Sequence, residues 1–140
     1  MTDETTERIT TPEADSAENG FDVTCIDISK TAVEAIKKEV ENKGIKIDAI
    51  CADIDSYKIL QNYDIIICTG TLHFVKDFRK LINEIKNHTN KKGINILDAL
   101  IGEKFFKNRE IKKIYLSWEI KDYEIHKEDF GKMEYLVAIK

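Results

Sequence analysis

The most constraining feature of this sequence is a regular alternation, from residue 21 onward, between short apolar runs and longer segments with helical periodicity. Such alternation is typical of an open, mostly parallel α/β sheet with helices on both faces. The predicted strands cover residues 21–28, 47–52, 64–68, 94–100, 118–125 and 133–139, and the predicted helices cover residues 31–42, 76–88 and 109–118. We therefore expect one α/β domain with a mixed sheet of about five or six strands.

Three features of the pattern indicate where individual strands lie. Residues 64–68 (DIIIC) are the most apolar run, which is typical of a central strand covered on both faces. Gly93 is expected to end the turn before the strand at residues 94–100. The last two strands are joined by the polar turn at residues 126–132 and are expected to form an antiparallel pair.

The N-terminal stretch, residues 1–20, differs in composition from the rest of the chain. It is rich in Thr, Glu and Asp and contains no aromatic residue. Residues 1–10 are expected to form a disordered tail. Thr11 followed by Pro12 predicts the start of a short helix that ends near Asn19. The predicted domain therefore spans residues 11–140.

The charge balance and the cysteines argue against several classes of partner. The net charge is −4, which argues against nucleic acid because phosphate binding needs a basic face. Cys25, Cys51 and Cys68 lie in separate apolar runs with no CxxC pair, so we expect buried thiols and no metal site. Because no apolar segment reaches membrane-spanning length, we expect a cytoplasmic protein with no membrane partner.

Polar residues lie at the carboxyl ends of three of the predicted strands. They are Asp27, Asp53 and the run Thr69-Gly70-Thr71. Ligands of open α/β sheets bind outside the carboxyl ends of the strands. A carboxylate there can accept both hydroxyl protons of a ribose, which suits Asp27, or an amine of a base, which suits Asp53. The alternative is that each acid only caps the helix or turn that follows it.

Several runs of the sequence resemble the small class I S-adenosylmethionine-dependent methyltransferases, in particular the tellurite-resistance methyltransferase group. These runs are NGFDVTCIDISKTAVEAIKK, DAICADI, YDIIICTGTLHFV and GINILDALI, and the resemblance extends over residues 18–140. It implies a Rossmann-like methyltransferase fold. It also implies S-adenosylmethionine as cofactor and S-adenosylhomocysteine as product.

The resemblance also implies roles for individual residues. Asp27 matches the acid that holds the ribose, the Asp53-Ile54 pair matches residues against the adenine, and residues 68–70 match the methionine end of the site. The cofactor-binding residues implied in this way are Asp27, Ile28, Asp53, Ile54, Thr69 and Gly70.

The sequence departs from this family at its N-terminal side. The family carries an apolar strand and a glycine-rich loop there, whereas residues 6–16 contain no glycine and no strand-length apolar run. We therefore expect an N-terminally truncated domain whose first strand is missing or replaced. In the family that strand lies between those matching residues 21–28 and 64–68. These two strands are expected to pair directly, to accept residues 7–10 as a poor substitute, or to pair with another chain, which makes a homo-oligomer possible.

The predicted function is methyl transfer from S-adenosylmethionine to a small-molecule acceptor. His73 is the candidate catalytic base or substrate contact, because it is the only residue near this end of the sheet that titrates close to neutral pH. The alternative for His73 is a structural hydrogen bond. The alternative function is a methyltransferase-like scaffold without cofactor that acts by association, and the missing glycine loop favours this alternative.

Overall fold

The described residues of the protein form two compact units. The structure is a computed structural model that describes residues 12–102 and 106–140. The two units are divided between Tyr57 and Lys58. The predicted tail at residues 1–10 lies outside the described residues. No helix among the residues that the structure describes has the length and apolar character to cross a membrane.

The first unit contains two parallel strands and two helices. Its elements are α1 (Pro12–Glu18), β1 (Val23–Asp27), α2 (Lys30–Lys43) and β2 (Ile47–Cys51). β1 pairs with β2 in parallel, and the register places Asp27 opposite Cys51. The carboxyl ends of both strands therefore lie at the same edge of this small sheet.

Helix α2 has clear start and stop signals. Ser29 is its N-cap, and the Ser29 side chain accepts a hydrogen bond from the main-chain N–H of Ala32. The helix ends before Gly44, which has a φ of 64°. Val33 and Ile36, three residues apart, are its buried side chains, so one side of the helix packs inward.

The second unit contains a four-stranded mixed sheet. Its elements are β3 (Tyr63–Cys68), a 3₁₀ helix (Leu72–Phe74), α3 (Phe78–Asn87), β4 (Thr89–Ile101), α4 (Glu110–Ile114), β5 (Glu119–Glu128) and β6 (Gly131–Ile139). The strand order is β3-β4-β6-β5. β3 and β4 are parallel, whereas β6 is antiparallel to both β4 and β5. The predicted antiparallel pair at the end of the sequence is therefore confirmed.

The two faces of the four-stranded sheet differ in burial. One face is buried, and its side chains in β4 and β6 are Asn95, Leu97, Ala99, Glu134, Leu136 and Ala138. The helical segments contribute further buried side chains, namely Leu81, Ile82, Ile85, Ile111 and Tyr115. The opposite face carries the apolar residues that the register places side by side, including Ile65, Ile67, Ile94, Ile96 and Val137, and all of these are at least partly exposed.

The buried face contains a chain of polar side chains. The Tyr115 hydroxyl donates to Asn95 Oδ1 at 2.9 Å, and Asn95 Nδ2 donates to Thr89 Oγ1 at 2.8 Å. The Thr89 hydroxyl in turn donates to the carbonyl of Ile85 at 2.6 Å. These bonds satisfy three buried polar side chains and connect α3, β4 and the segment after α4.

The described strands form two sheets, whereas we predicted one. Among the described residues, β1 pairs with β2 alone and β3 with β4 alone. Direct pairing of β1 with β3, the first of the three predicted alternatives, is therefore not observed. Residues 7–10, the second alternative, lie outside the described residues.

The prediction that β3 is a central strand covered on both faces is wrong for the described residues. β3 lies at one edge of the four-stranded sheet. Its Ile65 and Ile67 side chains are 37% and 60% exposed. The apolar sequence of β3 is suited to a strand with a neighbour on each side, and the described residues supply only one.

Strand β4 is longer than predicted, and Gly93 lies inside it. A Cβ atom at Gly93 would lie 2.6 Å from Thr89 Cγ2, 2.7 Å from the Asn90 carbonyl and 2.8 Å from the Asp64 carbonyl. The preceding Lys92 has a φ of 66°, and the pairing of β3 with β4 shifts register at this level. The glycine therefore marks a close approach of backbone within an irregular strand, whereas we interpreted it as the end of a turn.

Helix α4 is shorter than the predicted segment at residues 109–118. It ends at Ile114, and two tight turns follow, in which Tyr115 donates to the Lys112 carbonyl and Trp118 to the Tyr115 carbonyl. The rings of Tyr115 and Trp118 meet edge to face with their centroids 5.1 Å apart. A spacing of three residues fits both a helix and successive tight turns, so the pattern could not distinguish them.

Candidate functional site

In the first unit, the two candidate acids lie at the same edge of the sheet. Asp27 is the last residue of β1, and Asp53 follows β2 by two residues. The main-chain N–H of Ala52 donates to the Asp27 carbonyl at 3.1 Å, so the pairing of the two segments continues just past β2. Both side chains are exposed. The parallel register therefore brings two carboxylates together at the edge where open α/β sheets bind ligands.

Asp27 also shapes the start of helix α2. Its Oδ1 atom accepts a hydrogen bond from the main-chain N–H of Ser29 at 2.8 Å. Through this bond Asp27 caps the start of the helix, which is the alternative role to ligand binding. A carboxylate has about four acceptor positions, so the exposed Asp27 side chain can keep this bond and also accept from a ribose. Ile28 beside it is 69% exposed.

Asp53 has a similar position in a tight turn. Its Oδ1 atom accepts from the main-chain N–H of Asp55 at 3.0 Å. Its carbonyl accepts from the N–H groups of Ser56 and Tyr57 at 3.1 and 2.9 Å. The turn fixes the backbone and leaves the carboxylate exposed, while the neighbouring Ile54 is half-buried. The Asp53-Ile54 pair thus offers an acceptor next to an apolar side chain, which suits a purine base.

In the second unit, Thr69 and Gly70 form a turn directly after β3. Gly70 has a φ of 64°, and no atom lies within 4 Å of the position that a Cβ would occupy there. The Thr71 hydroxyl donates to the Thr69 carbonyl at 3.0 Å. Both Thr69 and Gly70 are exposed. The turn therefore presents its backbone at the carboxyl end of β3, with open space beside the glycine.

Asp98 is a site residue that the sequence analysis missed. It lies in β4, one position after Leu97, which the register pairs with Cys68. Its Oδ1 atom accepts from the main-chain N–H of Gly70 at 2.6 Å. The sequence did carry a signal, because Asp98 is the only charged residue in the apolar run at residues 94–101. We had interpreted that run only as a strand.

His73 follows the Thr69–Gly70 turn in the 3₁₀ helix. Its side chain is half-buried, and its ring lies 4.3 Å from the ring of Phe74, measured between centroids. The Phe74 side chain is 75% exposed. These contacts are compatible with either predicted role, so a base or a substrate contact at His73 stays a prediction.

The thiol of Cys68 is unsuited to nucleophilic chemistry. Burial, and next to it the negative charge of Asp98, raise the pKa of Cys68 to about 12. Burial and the carboxylates of Glu13 and Asp27 also raise the pKa of Cys25. Cys25 and Cys68 are half-buried and Cys51 is exposed, so the expectation of buried thiols is wrong at Cys51 and only partly met at the other two. Cys51 is the last residue of β2, and its Sγ donates to the carbonyl of Ile28 at 3.5 Å.

Comparisons with known proteins point to one family of enzymes. A family model described as a methyltransferase domain matches residues 9–97. The probable S-adenosyl-L-methionine-dependent methyltransferase TehB of Haemophilus influenzae is 28% identical over 127 residues, a match that covers 79% of this chain and 44% of that protein. A ubiquinone biosynthesis O-methyltransferase of Rickettsia prowazekii is 30% identical over 81 residues, covering 58% of this chain and 32% of that protein.

Solved structures confirm the Rossmann-like methyltransferase fold. The crystal structure of TehB from Haemophilus influenzae has a TM-score of 0.78 at 25% identity and covers 89% of this chain and 51% of that one. The N-methyltransferase NodS of Bradyrhizobium japonicum, in complex with S-adenosyl-l-homocysteine, has a TM-score of 0.71 at 11% identity and covers 85% and 66% of the two chains. This chain thus spans about half the length of the TehB proteins that it matches.

Proposed function

The chain belongs to the S-adenosylmethionine-dependent methyltransferase family whose model matches residues 9–97, and from this we propose that it binds S-adenosylmethionine and transfers the methyl group to a small-molecule acceptor. The names of its relatives support a small acceptor, because the Rickettsia enzymes act in ubiquinone biosynthesis. The observation that carries the proposal is the pair of exposed carboxylates, Asp27 and Asp53, at the carboxyl ends of neighbouring parallel strands.

The residues of the first unit fit the adenosine part of the cofactor. Asp27 would accept hydrogen bonds from the ribose hydroxyls, with Ile28 beside it. Asp53 would accept from the exocyclic amine of adenine, and Ile54 would contact the face of the base. Both acids already bond a main-chain N–H, which fixes their orientation before any ligand arrives.

The resemblance to the family assigns Thr69 and Gly70 to the methionine part. Thr69 and Gly70 would contact this end through their backbone, which the exposed turn makes accessible. Bound S-adenosylmethionine supplies an electrophilic methyl group on a sulfonium. The protein then has to orient the acceptor and remove a proton where the acceptor carries one, and His73 is the residue that we assign to this step.

One observation favours a second candidate function, a methyltransferase-like scaffold that does not bind the cofactor. Residues 1–19 contain no glycine, so this stretch of the chain holds no glycine-rich loop. Such loops let the backbone approach a cofactor closely. If affinity depends on that loop, the acids at the strand ends remain as structural caps, and the chain acts only through association with other molecules.

Calorimetric titration of S-adenosylhomocysteine into the full chain distinguishes the two functions. We expect binding, and we expect Asp27→Ala to weaken it by about 1–3 kcal/mol, or about 5- to 150-fold in Kd, because ribose hydroxyls lose their acceptor. Asp27→Asn keeps an acceptor for the Ser29 N–H and separates the ligand effect from loss of the helix cap. Asp48→Ala, an exposed acid within β2, is the matched control and should bind as the wild type does.

Two other results of this titration would contradict the proposal. If the wild type gives neither heat nor a thermal shift at millimolar S-adenosylhomocysteine, the chain does not bind the cofactor and the scaffold function stands. If it binds but Asp27→Ala and Asp48→Ala have the same Kd as the wild type, the ribose lies elsewhere.

A further inference from the structure

Asp98 is an acid in an apolar strand, and its place there needs an explanation. Its neighbours on the same face of β4 are Ile96 and Leu100, and the side chain is half-buried. Partial burial of a carboxylate is costly unless hydrogen bonds compensate. The bond that the structure gives it is the short one from the Gly70 N–H, at 2.6 Å. A bond of this length to a carboxylate is charge-assisted and stronger than one between neutral groups.

The turn that donates this bond is exposed and has open space beside its glycine. No atom lies within 4 Å of a Cβ position at Gly70, and both Gly70 and Thr69 are exposed. The Thr71 hydroxyl donates to the Thr69 carbonyl, and the Phe74 N–H donates to the Thr71 carbonyl, so both of these bonds join residues close in sequence. Asp98, in contrast, lies 28 residues away in sequence and belongs to the regular part of β4.

From this geometry we propose that Asp98 is the positioning residue of the Thr69–Gly70 turn. Its carboxylate attaches the turn to β4 and fixes the direction of the Gly70 backbone at the carboxyl ends of β3 and β4. The role of the turn toward the methionine end of the cofactor rests on the proposed function, whereas the attachment itself does not. Asp98 acts through Gly70 and has no assigned contact with substrate.

Amide hydrogen exchange of the ¹⁵N-labelled full chain, followed by NMR, tests the attachment without any ligand. We expect Asp98→Ala to increase the exchange rate of the Gly70 amide at least about tenfold, because the amide loses its acceptor. The Ile96 amide in the same strand should exchange as in the wild type, which distinguishes release of the turn from general destabilisation. Asp98→Asn retains an acceptor oxygen and should restore most of the protection. Asp122→Ala, an exposed acid on β5, is the matched control.

S-adenosylhomocysteine titration of the same variants tests the functional consequence. We expect Asp98→Ala to raise Kd about five- to twentyfold and Asp98→Asn to recover most of the affinity. An unchanged Gly70 exchange rate in Asp98→Ala, or equal acceleration at Gly70 and Ile96, would overturn the positioning role. If the wild type does not bind the ligand, the proposed function fails, and the exchange measurement still decides whether Asp98 positions the turn. If Asp98→Ala accelerates exchange of the Gly70 amide but binds S-adenosylhomocysteine with the wild-type Kd, the link between the turn and the cofactor is overturned.

Discussion

Glu134 is a fully buried carboxylate in β6 whose hydrogen bonds join three elements. Its oxygens accept from the main-chain N–H groups of Ile111 and Lys112 at 3.2 and 3.3 Å, at the start of α4. They also accept from the Tyr123 hydroxyl of β5 at 2.7 Å. Burial and this bond to Glu134 raise the pKa of Tyr123, so its hydroxyl stays protonated and keeps donating. A negative charge near the first N–H groups of a helix is also favourable.

We expect Glu134→Ala to lower the free energy of unfolding by about 3 kcal/mol, because it leaves three donors without their acceptor inside the protein. Glu134→Gln should cost less, because one acceptor oxygen remains. Chemical denaturation provides the measurement. Glu128→Ala, an exposed acid on β5, should change stability by no more than about 0.5 kcal/mol. Equal stabilities of the Glu134→Ala and Glu128→Ala variants would show that the buried bonds contribute nothing.

The cysteines should differ strongly in their reactivity toward iodoacetamide. The thiolate is the reacting form, and with a pKa of about 12 only about one Cys68 thiol in ten thousand is ionised at pH 8. Cys51 is exposed and should be alkylated first. Between about pH 7 and pH 9, well below that pKa, the rate at Cys68 should rise about tenfold per pH unit. Peptide mass spectrometry measures each site, and concentrated urea should make the rates similar. Equal native rates would contradict the burial of Cys68.

At the scale of elements, Gly93 tests the irregular geometry of β4. We expect Gly93→Ala to lower the free energy of unfolding by about 1–3 kcal/mol, because the added Cβ would meet two carbonyl oxygens that cannot move without the strand. Gly44→Ala is the comparison, since its positive φ brings only a conformational cost of about 1 kcal/mol and no collision. A Gly93→Ala variant that melts like the wild type would mean that β4 and β3 pair without this close approach.

The elements show what a sequence pattern can predict and where it stops. The start and stop residues of α2, and the apolar sides of α2 and α3, follow from local chemistry, so the sequence alone predicts them. The placement of β6 between β4 and β5 depends on long-range pairing, which no local pattern encodes. The bond from Gly70 to Asp98 likewise joins residues far apart in sequence, so the sequence pattern does not predict a partner for this acid in an apolar strand. The acids Asp27 and Asp53 were predictable because each lies at or just past the carboxyl end of its strand.

At the scale of the whole molecule, the two edges of the four-stranded sheet differ in how well their side chains prevent pairing with a further strand. β5 carries many charged side chains, which discourage pairing with another strand; they are Glu119, Lys121, Asp122, Glu124, Lys127 and Glu128. Asp64 is the only charged residue of β3, and the exposed side chains of this strand include Ile65 and Ile67. Among the described residues β3 has one neighbouring strand, so its other edge can serve as a template for pairing.

We therefore predict that the chain self-associates through β3. Light scattering at micromolar concentration should give a mass above that of one chain, and Ile67→Lys should return it to the monomer mass, because a lysine on the edge opposes pairing. Ile125→Lys, on the charged strand β5, is the matched control and should keep the wild-type mass. A wild type that stays monomeric and melts in one sharp transition would contradict this prediction.

The position of β6 has a consequence for synthesis. The ribosome makes β6 after every other strand described here, yet β6 lies between β4 and β5 and hydrogen-bonds to both. Until residues 131–139 have emerged, β5 has no partner strand in this sheet and one edge of β4 is open. The nascent chain therefore exposes apolar strand surface until β6 has been made, and this is the period in which it most needs protection from aggregation.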